Sequence, residues 1–399
     1  MSGLRGVAVV AHSGGPTQVI NASLAGVVEE CRRHEEITVL WGARNGILGV
    51  FEKKFYDLYR QDPAVIAALG RAPGSAVGSC RYKVKPEDHQ RILDGFRAHN
   101  VRYFFYTGGN DSMDTALKVS RLARDSGYEL RVIGVPKTVD NDLPETDHCP
   151  GYGSGARFFA CAVRDIGNDV RALPRRVTFV EAMGRNAGWL VAAAALARRR
   201  PDDPPQIIYC PERPLTVDQL LADVEAVYRR NGYAVIAVSE AQKDEKGEPF
   251  GADQAIPDSF GWRVTGNLSH NLAGIVNRRL RLRARSEKPG LLGRASAGYV
   301  SETDRQESYL CGQAAVQAAI GGVTGQMVTL ERDPGLEYCC TTGLADLEVV
   351  ANAERLLPPE WISEAGNDVL PPFVHYAAPL TGPIDPLPRL DETLVVSTG

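Results

Sequence analysis

A chain of 399 residues, 44% of them apolar, is long enough to bury two cores of ordinary domain size, about 100 to 200 residues each. Its formal net charge of −4 supplies no global basic field, which argues against a nucleic-acid partner or a membrane surface, so any phosphate site must be built locally. No basic lead precedes an apolar core at the start, and the longest aliphatic run, Leu190 to Ala197, falls far short of the roughly 20 residues that span a bilayer; a soluble, unprocessed cytoplasmic protein is expected.

In chain order, Gly6 to Ala11 reads as a buried parallel strand that runs through His12-Ser13-Gly14-Gly15-Pro16-Thr17 into an amphipathic helix over Val19 to Arg33. The same succession of strand, glycine turn and helix recurs over Val101 to Arg124, where Tyr103 to Thr107 leads into Gly108-Gly109-Asn110-Asp111-Ser112. A further strand, Leu130 to Val135, ends in Pro136-Lys137-Thr138-Val139-Asp140-Asn141-Asp142. The alternation returns at Arg176 to Ala197 and at Ala234 to Glu240, which predicts an α/β fold with mostly parallel sheets. Loops are expected at Pro201 to Pro205 and Lys243 to Gly251, and the proline-rich tail Pro371 to Pro388 is expected to lie as extended chain on the second domain. No repeat with a period of 20 to 50 residues is visible. Eight cysteines lack metal spacing; Cys31, Cys161 and Cys311 fall in apolar patterns, as small buried hydrophobes do in a reducing compartment, and Cys339-Cys340 read as ordinary thiols.

Open parallel sheets bind ligands beyond the carboxyl ends of their strands, which is where both the Gly108 and the Pro136 segments fall. Glycines between a strand and a helix let backbone N–H groups approach an anion, and the helix N-terminus adds a favourable dipole. Either glycine pair alone could be turn geometry; two of them beside Asp140 and Asp142 point to phosphoryl transfer. In an extended segment residues two apart share a side, so Asp140 and Asp142 are expected to face one cleft and Asn141 the other side. One carboxylate can then take the proton of a substrate hydroxyl while the other orients a partner or faces a metal shell. Met183-Gly184-Arg185 follows the strand Val177 to Val180, Arg176 begins it, and Glu240 ends the strand Val235 to Val238. Arginines for a phosphate and a carboxylate for hydroxyls suit a phosphosugar.

These residues resemble the phosphofructokinases, and more closely their pyrophosphate-dependent branch, over nearly the whole chain. The resemblance rests on seven ordered matches: Ser13 to Thr17 with Asn21, Gly78-Ser79-Cys80-Arg81, Gly108 to Ser112, Pro136 to Asp142, Met183 to Trp189, Ser239-Glu240, and Gly293-Arg294-Ala295-Ser296 followed by Asp304-Arg305. It implies two three-layer Rossmann-like domains with the active site in the cleft between them. The donor domain would be 1–151 plus about 294–343, and the sugar-phosphate domain 152–293 plus about 344–399.

The resemblance also implies transfer of a phosphoryl group from pyrophosphate to the 1-hydroxyl of fructose 6-phosphate, giving fructose 1,6-bisphosphate in a near-reversible reaction. Asp140 would be the base, with Thr138, Lys137 and Asp111 completing the catalytic set. Gly15, Arg81, Gly109 and Ser112 would contact the donor. Thr138, Val139, Asp140, Asp142, Met183, Gly184, Arg185, Glu240 and Arg294 would hold the sugar phosphate, and Arg176 and Arg285 would reach it from a neighbouring subunit, making a homo-oligomer with shared active sites. Mg²⁺ is the implied cofactor, near Asn110, which stands where many relatives carry Asp.

Donor choice follows the same way: ATP-using relatives carry glycine at the positions of Asp111 and Lys137, and pyrophosphate-using relatives carry Asp and Lys. A carboxylate roughly 4 Å from an extra phosphate charge costs on the order of 4 kcal/mol at an effective dielectric of about 20, so Asp111 disfavours a nucleotide. Lys137 supplies a point charge for the transition state. The stretch Leu291-Leu292-Gly293-Arg294 lacks the His and Gln of many relatives, which leaves sedoheptulose 7-phosphate open as acceptor. An ATP-dependent phosphofructokinase and a catalytically silent, phosphosugar-sensing subunit are the other readings; intact Asp140, Thr138 and Arg185 speak against the second.

Overall fold

The computed structural model describes residues 4–173, 175–250, 256–257, 263–264, 267–335, 337–390 and 394–396. Gly251, the end of the expected loop from Lys243, lies outside the described residues, as do residues 1–3, 391–393 and 397–399 of the expected domain ranges.

The strands in chain order are β1 (Gly6–His12), β2 (Ile37–Ala43), β3 (Phe55–Asp57), β4 (Val101–Gly108), β5 (Arg131–Pro136), β6 (Val177–Ala182), β7 (Ile207–Tyr209), β8 (Ala234–Ser239), β9 (Ile256–Pro257), β10 (Arg263–Val264), β11 (Ala284–Glu287), β12 (Gln326–Arg332) and β13 (Cys340–Asp346). They form a seven-stranded sheet in the order β13-β12-β5-β4-β1-β2-β3, a four-stranded sheet in the order β11-β6-β8-β7, and the β10-β9 pair. The four-stranded sheet is parallel throughout. The seven-stranded sheet is parallel in its interior and antiparallel at both edges, β2 with β3 and β12 with β13. Parallel strands buried on both faces read as unbroken apolar runs, and β1 and β4 do so because helices cover both sides.

Helices Ile20–Cys31 and Glu302–Ile320 cover one face of the larger sheet, and Pro86–Ala98 and Asn110–Asp125 cover the other. The first two pack so closely that a Cβ on Gly26 would lie 2.1 Å from the Tyr309 carbonyl oxygen, and one on Gly312 2.1 Å from that of Ser23. The smaller sheet is covered by Tyr152–Ala172, Pro371–Thr381 and the buried run 189–197 on one side, and by Val217–Asn231 and Leu268–Arg279 on the other. The chain therefore crosses between the sheets near Gly151 and returns before Glu302. The Asp304 carboxylate pins both crossings, accepting from the N–H groups of Gly151 (2.8 Å) and Ser154 (2.9 Å) and from the Ser154 hydroxyl (2.6 Å).

One expectation changes. The tail from Pro371 is not extended: Pro371–Thr381 is a helix, with prolines in its first turn, where no N–H has an intrahelical partner, and it buries Phe373, Tyr376, Ala377 and Leu380 against the smaller sheet's core. The pairing of β13 with β12 carries the larger sheet on to Asp346. All eight cysteines are free, with Cys31, Cys161 and Cys311 buried as expected and Cys339 exposed. Among the described residues no helix is long and apolar enough to cross a membrane.

Candidate active site

One cleft opens beyond the carboxyl ends of β1, β4 and β5 and collects most of the expected site residues. Its lining includes Gly15 and Arg81, then Gly109, Asn110, Asp111 and Ser112, then Lys137, Thr138, Val139, Asp140 and Asp142, and finally Arg185 and Arg294 from the segments after β6 and β11. Strand register explains the convergence: β1 pairs β4 to His12–Thr107, and β4 pairs β5 to Gly108–Pro136, so all three glycine or proline turns leave the sheet at one edge.

The glycines serve close approach. Gly14 has φ +77°, and a Cβ there would lie 3.2 Å from the Lys137 Nζ. A Cβ on Gly15 would lie 1.8 Å from Nη1 of Arg294, so any side chain there would displace that guanidinium from over the turn. The Gly293 carbonyl beside it accepts from Gln18 Nε2 at 3.0 Å, docking this segment on the larger sheet's side of the cleft. Arg294, expected on the sugar phosphate, thus also lies over the Gly14-Gly15 turn.

Lys137 is buried and donates to the Gly15 carbonyl at 2.9 Å. Burial, with Arg294, Arg185 and Arg81 nearby, brings its ammonium down to about 7. Asp111 pairs with Arg185 across the cleft at 3.6 Å, both side chains being part-exposed.

Asp140 and Asp142 both face the cleft, but not by strand alternation. The chain turns at Asn141, whose φ is +57°, and the Asn141 side chain is buried, accepting from the Cys149 N–H at 2.9 Å and donating to the Tyr376 hydroxyl at 2.8 Å. Asn tolerates this left-handed conformation better than most residues. Burial raises the Asp140 carboxyl above its ordinary value, with Arg185 opposing and Glu240 adding to the rise. Burial, and then the charge of Asp140, pushes Asp142 up to about 7. The Asp140 N–H donates to the Thr138 hydroxyl at 3.0 Å, which closes the turn.

Asn110 begins the helix that follows β4, and its Nδ2 lies 3.4 Å from Asp142 Oδ2. Its Oδ1 and the Oδ1 of Asp142 are buried without a hydrogen-bond partner. Two unpartnered hard oxygens on adjacent residues suit a magnesium ion, which binds through one or two protein oxygens, water and phosphate.

Met183, Gly184 and Glu240 stand behind this lining. Glu240 accepts the Gly184 N–H at 2.9 Å, and Met183 packs on the smaller sheet's core. Arg176 and Arg285 are elsewhere: with Thr178 and Glu287 they line a separate pocket that shares no residue with the cleft. Arg176 precedes β6 and Arg185 follows it, and a strand of that length separates them by about 20 Å.

Sequence reading missed several supports. Half-buried Arg355 grips the acidic turn, its N–H donating to the Asp142 carbonyl at 2.7 Å and its Nη2 to that of Asn141 at 3.0 Å, while its guanidinium stacks 4.6 Å over Trp189. Glu354 accepts from Asn186 Nδ2 at 3.0 Å and bears electrostatically on Asp142. No local pattern marks either residue. Glu181 was detectable, as a lone charge inside the apolar run of β6.

Comparison with known proteins agrees with this architecture. The family described as Phosphofructokinase matches residues 7–319. The pyrophosphate--fructose 6-phosphate 1-phosphotransferase of Xanthomonas campestris pv. campestris (strain B100) is 43% identical over 378 residues, 93% of this chain and 90% of that protein. The counterpart of the same name in Rhodospirillum rubrum is 40% identical over 385 residues, 95% of each. The crystal structure of a pyrophosphate-dependent phosphofructokinase from Marinobacter aquaeolei superposes with a TM-score of 0.86 at 37% identity, covering 97% of this chain and 94% of that one.

Proposed function

The chain belongs to the phosphofructokinase family, and from that premise we propose that it transfers a phosphoryl group from pyrophosphate to the 1-hydroxyl of fructose 6-phosphate, giving fructose 1,6-bisphosphate and orthophosphate. The observation that carries the reading is the cleft itself, where a buried carboxylate with a raised proton affinity, Asp140, stands opposite a cationic turn made by Lys137, Arg81 and Arg294 over Gly15.

Asp140 takes the proton of the 1-hydroxyl as its oxygen bonds to the nearer phosphorus, and the bridging P–O bond breaks to release orthophosphate. Lys137, Arg81 and the backbone of Gly15 and Gly109 face the charge that spreads over the donor oxygens. Thr138 holds the Asp140 backbone, and Ser112 lines the donor end. Asn110 and Asp142 would hold Mg²⁺, which supplies neutralising charge to pyrophosphate. Asp111, tied to Arg185, closes the side along which a nucleotide would extend. Arg185, Glu240, Gly184, Met183, Val139 and Arg294 address the sugar phosphate.

Arg176 and Arg285 cannot serve the cleft of their own chain from their pocket, which supports a homo-oligomer whose subunits exchange these arginines. The corresponding domain division assigns 1–151 with about 294–343 to the donor side and 152–293 with about 344–399 to the sugar side. A coupled spectrophotometric assay tests the function: fructose 6-phosphate should turn over with magnesium pyrophosphate and not with magnesium ATP. Faster turnover of sedoheptulose 7-phosphate would reassign the acceptor, and turnover with ATP alone would overturn the donor.

A further inference from the structure

Glu181 is the penultimate residue of β6, an interior strand of the smaller sheet, and its side chain is buried, where an unpaired carboxylate would be costly. Its Oε2 accepts the Ser269 N–H at 2.8 Å, and its Oε1 meets the ammonium of Lys288 at 2.6 Å. Lys288, one residue past β11, reaches a second carboxylate as well: Glu240 Oε2 lies 3.8 Å from the same Nζ. The other oxygen of Glu240 holds the Gly184 N–H, and Gly184 has φ +156°, in the middle of the loop that presents Arg185 to Asp111. One cation therefore serves two carboxylates, and the second of them fixes the loop on the sugar side.

We propose that Lys288 is a positioning residue of the sugar site: its ammonium pairs with both Glu181 and Glu240 and thereby holds the Glu240–Gly184 hydrogen bond on which the Met183–Arg185 loop depends. The inference rests on the sugar-binding role given to Glu240 above. Four charged groups bear on Glu240: Glu181 from β6, Lys288 after β11, Arg294 beyond it, and Asp140 from the acidic turn. Burial and Glu181 favour its protonated form, while the Gly184 N–H, Lys288 and Arg294 favour the ionised one. Removing Lys288 leaves two neighbouring carboxylates without their shared cation, so Glu240 takes up a proton at a higher pH. A protonated Glu240 presents one acceptor fewer to a sugar hydroxyl and holds the Gly184 N–H more weakly, because a neutral carboxyl is a poorer acceptor than a carboxylate.

Lys288→Met, Lys288→Arg, Glu240→Gln and the Lys288→Met/Glu240→Gln double variant separate this role from simple packing. Calorimetric binding of fructose 6-phosphate without a phosphoryl donor should weaken about tenfold in Lys288→Met at pH 6, one pH unit being worth a factor of ten in ionised carboxylate, and much less at pH 8. Turnover at saturating sugar should change less than about threefold, and Lys288→Arg should restore binding. In the Glu240→Gln background Lys288→Met should have almost no further effect. An equal loss at both pH values, or an undiminished loss in that background, would overturn the proposal.

Thermal unfolding without ligand reads the same arrangement independently of function. A group whose folded-state pKa rises contributes stability that is lost as pH increases through that value, so Lys288→Met should lower Tm more at pH 8 than at pH 5.5. A parent that binds no fructose 6-phosphate but shows this Tm pattern would overturn the sugar reading alone; a Tm loss equal at both pH values would overturn the role of Lys288.

Discussion

The two walls of the cleft are built by different physics. On the donor wall most contacts lie in turns that directly follow a strand, Gly14-Gly15 after β1, Gly109 to Ser112 after β4 and Lys137 to Asp142 after β5, with Arg81 and Arg294 reaching in from elsewhere. Parallel register brings these turns to one edge, and their backbone groups do much of the work. The sugar wall is assembled from separate segments, Met183–Arg185, Glu240 and Lys288–Arg294, held by ion pairs and side-chain hydrogen bonds. Arg176 and Arg285, proposed to reach the sugar site of a neighbouring subunit, sit in another pocket. A wall made of backbone turns tolerates loss of one side chain better than a wall whose geometry is itself a charge network.

The largest expected effect removes the group that joins the two walls. Asp140→Asn should lower kcat by about 10² to 10⁴ while leaving KM for fructose 6-phosphate nearly unchanged, because a missing base is felt in the transition state. Steady-state rates within fivefold of the parent, in a folded variant, would remove Asp140 from that role.

On the donor wall, Asp111→Gly should let ATP bind. A bare carboxylate would discriminate about a thousandfold, but Asp111 is part-exposed and paired with Arg185, so the ratio of kcat/KM for pyrophosphate over ATP should fall closer to a hundredfold. An unchanged ratio would mean that donor choice lies elsewhere.

On the sugar wall, Arg176→Ala should raise KM for fructose 6-phosphate by about tenfold with a smaller change in kcat, as loss of a charge-assisted phosphate contact does. Mixing Asp140→Asn with Arg176→Ala subunits then asks whether the wall is shared. Recovery of activity after subunit exchange is expected, and none after confirmed exchange would place Arg176 outside the site.

The smallest effect is on stability. Asp142 has its carboxyl raised to about 7 by burial and by Asp140, so it contributes stability below its unfolded value near 4 that is lost as pH rises toward 7. Between pH 4.5 and pH 7 without magnesium, Tm of Asp142→Asn should gain a few degrees relative to the parent. A constant difference across that range would show that Asp142 is ionised throughout.

The donor wall was legible in the amino-acid sequence because its determinants are local. An apolar run of strand length followed by glycines and a helical pattern specifies strand, turn and helix within one short segment, and parallel sheets put such turns at one edge. Hence Gly15, Asn110, Asp111, Lys137 and Asp140 could be placed from sequence, as could β1, β4, β5, β6 and β8 to within a residue or two. Only the tertiary structure decided that Arg294 crosses Gly15, that Asn141 turns the acidic segment instead of continuing a strand, and that the tail's prolines begin a helix. It also brought Lys288 to Glu181 and Arg355 to the acidic turn. Each of these depends on a partner far away in the chain, and the free energy of a desolvated charge or of a left-handed residue is set by that partner rather than by sequence neighbours.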